Sequence, residues 1–133
     1  KIYLVNFVYA RKFGAPAPKS RSFGRWVLYA SRAHHQDKEE GRKEDLESWF
    51  YNMIEMYNGN AIVWRDKPIE RCALKEQLMA NTNESPAKKL LLAPFLSIIT
   101  DILLCSNSVA PDYSSIYCAI DFLENMDPRP ANE

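Results

Sequence analysis

The chain has little cysteine. Among its 133 residues only Cys72, Cys105 and Cys118 occur, far apart and with no C-x-x-C pair. An odd number without ligand spacing argues against a disulfide framework or a thiolate metal site. It favours reduced thiols in an intracellular protein, cytoplasmic or nuclear. An excess of one charge is missing too: 17 basic residues balance 17 acidic ones, so no global field points to nucleic acid or an anionic membrane. No run of about 18 apolar residues is present, which speaks against a membrane span, and no signal-peptide pattern leads the chain. Internal repeats and low-complexity tracts are absent as well. The first residue is Lys rather than Met, which reads as the mark of an excised piece of a longer protein.

What is present is mostly helical patterning. An opening run, Ile2-Tyr3-Leu4-Val5, is β-branched and aromatic and predicts a short strand. The stretch Gly14 to Ser22 is rich in Pro, Gly and Ser and predicts a loop. From Arg42 to Asn58, apolar residues at Leu46, Trp49, Phe50, Met53, Ile54 and Tyr57 follow helical spacing. Asn58-Gly59-Asn60 should stop that helix through a left-handed residue. A polar helix is predicted over Ile69 to Ala80, with Pro68 at its first turn. A strongly apolar helix opens at Pro94 and carries Phe95, Ile98, Ile99, Ile102 and Leu103. A last helix follows Pro111, with Tyr113, Ile116, Tyr117, Ile120 and Leu123 on one side. Residues 1–126 read as one mainly α domain, and residues 127–133 as a disordered tail.

Five stretches in order carry a resemblance. They are Asn6-Phe7-Val8-Tyr9-Ala10-Arg11-Lys12 after the strand, then Tyr29-Ala30-Ser31, then Arg42-Lys43-Glu44-Asp45-Leu46-Glu47-Ser48 at a helix start. Val63-Trp64-Arg65 follows that helix, and Pro111-Asp112-Tyr113 precedes the last one. Together they resemble the C-terminal lobe of a protein kinase of the casein kinase I group, in its tau-tubulin kinase branch. The resemblance implies a mainly α lower lobe with a short N-terminal strand or hairpin remnant, the Arg42–Asn58 helix being its central pillar.

It also implies chemistry, and the chain departs from it. Kinases of this kind hold magnesium and the ATP phosphates with the aspartate of Asp-Phe-Gly. That position is Asn6 here, whose amide offers a neutral oxygen to a hard cation. The glycine is Val8, whose branched side chain cannot follow glycine into positive φ. A plain structural reading, in which Asn6 is only a turn residue after a buried strand, stands beside this. In the substrate-facing segment, Trp26 replaces the family's threonine and Leu28 a basic residue that reads acidic or phosphorylated substrates, while Arg25 restores charge from a shifted position. Glycine-rich loop, strand lysine, partnering glutamate and His-Arg-Asp loop have no counterpart in the 133 residues.

Two functions follow as expectations. One is a non-catalytic, pseudokinase-like lobe acting through protein–protein contact. The other is part of an ATP-dependent Ser/Thr kinase whose N-terminal half lies outside this chain. ATP and Mg²⁺ are expected only if that half restores a site. Tyr3, Phe7, Val8 and Trp26 are candidates for an apolar patch that a partner or a second copy would cover. Asp45 matches a family aspartate that caps catalytic-loop amides; here it either caps its own helix start or faces solvent. His34-His35 with Asp37, Glu39 and Glu40 reads as a solvated loop rather than a metal site, and so does most of Lys38 to Glu44. The three cysteines read as core or half-buried small hydrophobes.

Overall fold

The structure is a computed structural model that describes residues 10, 12, 14, 15, 28–80, 85, 87–91, 93–106 and 109–126. The predicted strand, the magnesium-loop residues Asn6, Phe7 and Val8, Arg25 and Trp26, and the tail 127–133 lie outside the described residues. Among the described residues the architecture is all α, the class expected of a kinase-like lower lobe. It consists of α1 (Arg32–His35), α2 (Arg42–Tyr57), α3 (Arg71–Met79), α4 (Ala93–Leu104) and α5 (Tyr113–Met126), with short 3₁₀ turns at Gly59–Ala61 and Lys88–Leu90.

Helix α1 arises where the sequence predicted a loop. Ser31 caps it: its hydroxyl accepts from the His34 amide at 3.1 Å. Asp37, at φ 51°, closes it. That left-handed residue lets the Lys38 amide reach the Ala33 carbonyl (2.9 Å) and its own amide reach that of His34 (3.3 Å). This is a Schellman motif, with aspartate in the place glycine usually takes. His34 and His35 are therefore half-buried helical residues, a correction to the solvated-loop reading.

Helix α2 starts at Gly41, whose amide donates to the Glu44 carboxylate at 2.7 Å, half of a capping box. Its end differs from expectation. Asn58 is extended (φ −150°, ψ 96°) rather than left-handed, and its side-chain oxygen accepts from the Asn60 amide at 3.2 Å. The chain leaves α2 through a 3₁₀ turn, with no need for a positive φ. Helix α3 opens at Arg71 instead of Ile69, because Pro68–Glu70 form a turn.

The core joins Phe50, Tyr51 and Ile54 of α2, Leu78 and Met79 of α3, Phe95, Ile98, Ile99 and Ile102 of α4, and Ala119 of α5. Trp64 and Tyr57 complete it as aromatic contacts, Tyr57 lying 4.8 Å from Phe95 between ring centroids. Helix α4 packs against both α2 and α5, so the most apolar helix is the hub. Helix α5 is rotated from its predicted face. Ile116 and Ala119 are buried and Leu123 partly so, while Tyr113 and Tyr117 are exposed (44% and 65%). Cys72 and Cys105 are half-buried as expected; Cys118, on the outer side of α5, is exposed, a correction.

Candidate functional site

Three of the stretches that carry the resemblance meet in space: 28–31, the first half of α2, and Val63-Trp64-Arg65. Trp64 is fully buried, and its indole N–H donates to the Leu28 carbonyl at 2.9 Å. Tyr29 donates its hydroxyl proton to Glu55 of α2, and Arg65 pairs with the same carboxylate. The Tyr29 bond, with Arg65 behind it, holds Glu55 below the usual carboxylate range, and the same bond raises the Tyr29 phenol. The Ala30 carbonyl accepts from Lys75 Nζ at 2.5 Å. Backbone donors and acceptors of this stretch are thus tied to side chains of α2, α3 and the loop between them.

Glu47 is the centre of the arrangement. It is 2% exposed, yet its Oε1 accepts from the Arg32 amide (2.7 Å), Arg32 Nε (3.1 Å) and the Tyr51 hydroxyl (2.7 Å). Its Oε2 accepts from Arg32 Nη2 at 3.3 Å. A buried carboxylate is tolerable only with such a full set of partners. Arg32 Nη1 also reaches Glu76 at 3.0 Å, and Gln36 holds the other oxygen of Glu76 at 2.9 Å. Burial opposes the Arg32 charge, but its hydrogen bonds to Glu47 and the Glu47 charge outweigh that and raise its affinity for the proton. Burial, reinforced by Glu47, pushes the Tyr51 phenol well above its ordinary value.

Lys75 is the unusual member. It is completely buried, with its ammonium 4.7 Å from the Tyr51 ring centre and 5.6 Å from that of Trp64. His35 Nε2 lies 3.1 Å from it. Burial lowers Lys75 to about 7, with Glu47 acting in the opposite sense. Burial also lowers His35 to about 4, and the neighbouring Lys75 charge adds to it.

The predicted site residues fall into separate places. Leu28 is half-buried, its side chain on the core edge. Asp45 is exposed in the first turn of α2, and its neighbour Glu44 accepts from the Gly41 amide at the helix start. Asp112 caps α5, its Oδ1 accepting from Ser114 (3.0 Å) and Ser115 (3.3 Å) amides; Pro111 is buried and Tyr113 exposed. The start of α5 that follows this motif is tied to α4, Ser115 Oγ donating to Asp101 Oδ2 at 2.8 Å. Sequence patterning assigns no role to Arg32, Glu47, Lys75 or Glu76, and it reads His35 as part of a solvated loop. One signal pointed to Lys75: it shares a helical stripe with Cys72, Leu78 and Met79. Among the described residues no group of three or more His, Cys, Asp or Glu is arranged to hold a metal, and no helix is long and apolar enough to cross a membrane.

Sequence comparison relates the chain to two proteins of Caenorhabditis elegans. It is 37% identical over 71 residues to "Putative serine/threonine-protein kinase ZK507.1" and 38% identical over 64 residues to "Putative serine/threonine-protein kinase ZK507.3", each match covering 48% of this chain. The chain covers 21% of the first protein's length and 14% of the second's. No protein-family profile matches the chain. No solved structure matches it. The relationship is kinase-like, and neither name specifies a kinase group.

Proposed function

We propose that this chain is a casein kinase I-like lower-lobe element that does not transfer phosphate and works through protein–protein contact. The observation that carries the reading is Asn6 where a kinase of this group has its magnesium-binding aspartate, with Val8 in place of the glycine. A neutral amide oxygen gives a divalent cation far less than a carboxylate does, so the donor set does not fit Mg²⁺ bound to ATP. Further support comes from the chemistry of 28–36. Leu28 stands where the group carries a basic substrate-reading residue, and the strongly perturbed groups nearby, Lys75 and His35, are spent on holding backbone and helix. Nucleotide and metal are not part of this reading. The partner is a protein, or a second copy of the chain, that covers an apolar surface to which Tyr3, Phe7, Val8 and Trp26 contribute; nucleic acid and membrane are not partners. The cytoplasm or nucleus is the compartment proposed.

A second reading is favoured by the kinase names of the two relatives, of which this chain covers a minor share. In it, the chain belongs to an ATP-dependent Ser/Thr protein kinase whose other half supplies the nucleotide site. The test is transfer of labelled γ-phosphate to a protein substrate, using this chain, and any longer protein that contains it, with Asn6 intact and with Asn6→Asp. The first reading expects no transfer above background from the Asn6 form, and any transfer gained by Asn6→Asp would trace the loss to the amide at position 6. Transfer by the Asn6 form favours the second.

A further inference from the structure

The environment of Lys75 has a property that the proposed function does not use. Its Nζ lies 4.7 Å from the Tyr51 ring centre and 5.6 Å from that of Trp64, donates to the Ala30 carbonyl, and has His35 Nε2 at 3.1 Å. The neighbouring acids are already engaged: Glu47 by Arg32 and Tyr51, Glu76 by Arg32 and Gln36. From α1 the enclosure is faced by Arg32, His34 and His35, from α2 by Glu47 and Tyr51, and from α3 by Arg71, Cys72 and Glu76. Positive charge therefore meets positive charge here, the Arg71 charge acting on both Lys75 and His35. A lone ammonium suits the site, since it donates to a carbonyl and lies on two aromatic faces. An imidazolium 3.1 Å away would add repulsion against an ammonium that is itself out of water.

We propose that Lys75 and His35 form an acid-sensitive latch: the enclosure accommodates one positive charge, and a second, on His35, releases the 28–36 stretch from α2 and α3 while α2, α4 and α5 stay packed. The stretch is suited to separate release. Only Leu28 and Tyr29 reach the core, at its edge; the rest of its hold is polar (Trp64 to Leu28, Tyr29 to Glu55, Lys75 to Ala30, Arg32 to Glu47), whereas α2, α3 and α4 supply the core itself. The sign follows from linkage. His35 is lowered from 6.5 to about 4 in the folded chain, so on acidification the released form takes up the proton first. The His35 contribution to the latch is intact above pH 6.5, weakens as pH falls and is lost below about 4, while Lys75, lowered from 10.5 to about 7, weakens the latch separately between those two values.

The test is a pH titration of the whole chain from 7.5 to 3.5 by proton–nitrogen NMR. It follows the His35 ring and the Trp64 indole N–H, with far-ultraviolet circular dichroism recorded in parallel. The expected result is a His35 midpoint near 4, a coincident shift or broadening of the Trp64 resonance, and retained helical signal. His35→Gln should abolish the Trp64 transition, whereas His34→Gln, altering the residue that pairs with Glu40, should leave it in place. In Lys75→Met the His35 midpoint should move up toward 6.5; if that variant does not fold, the two histidine variants decide the matter alone. A Trp64 transition that survives His35→Gln, or is abolished by His34→Gln, overturns the latch. So does a His35 midpoint near 6.5 with Trp64 unmoved.

Discussion

Glu47 receives four hydrogen bonds from Arg32 and Tyr51 while almost wholly out of water, so its substitution should be costly beyond its size. Glu47→Gln keeps the volume but removes the charge that Arg32 faces. Breaking one partner of a buried pair strands the other, and with Arg32 still 16% exposed we predict a loss of about 2–4 kcal/mol in chemical denaturation. A loss below about 0.5 kcal/mol would mean that Arg32 is satisfied by Glu76 alone. At this scale the sequence was least legible. A glutamate in a charged helical start reads as solvated, because periodicity reports apolar residues and assigns none to Glu47. The partner that lets it be buried, Arg32, is 15 residues away. Lys75 was readable only as a misfit on an apolar stripe, and nothing in the sequence placed His35 against it.

The elements themselves were largely legible, and their ends less so. The four main helices stand where periodicity put them, with starts displaced by up to two residues because turns and caps set the boundary. Two differences have physical reasons. Helix α1 is too short for periodicity to signal, and it exists because Ser31 and Asp37 satisfy its ends. Helix α5 presents Ile116, Ala119 and Leu123 to α4 instead of its tyrosines, since small Ala119 permits close approach where Tyr117 would not. The Pro111-Asp112-Tyr113 motif has a definite task at this scale: Asp112 caps α5 with two amide bonds. Asp112→Ala should therefore lower stability by about 1 kcal/mol, read by denaturant titration, and Asp112→Asn should restore most of it. Equal losses in both variants would show that the carboxylate charge, not the cap geometry, matters.

At the scale of the molecule, a mainly α architecture was readable because four strongly patterned helices in one chain leave few alternatives, and the described residues are all α. The order of the motifs was readable too, and the structure brings three of them together around Trp64 and Glu47. The proposed function rests on one substitution: Asn6 changes the charge offered to a metal-bound nucleotide, and composition carries no trace of it. Calorimetric titration of the chain with Mg²⁺ and ATP examines that point most directly. The account predicts heats indistinguishable from dilution, with or without the metal. A saturable, magnesium-dependent binding isotherm with one site per chain would contradict it.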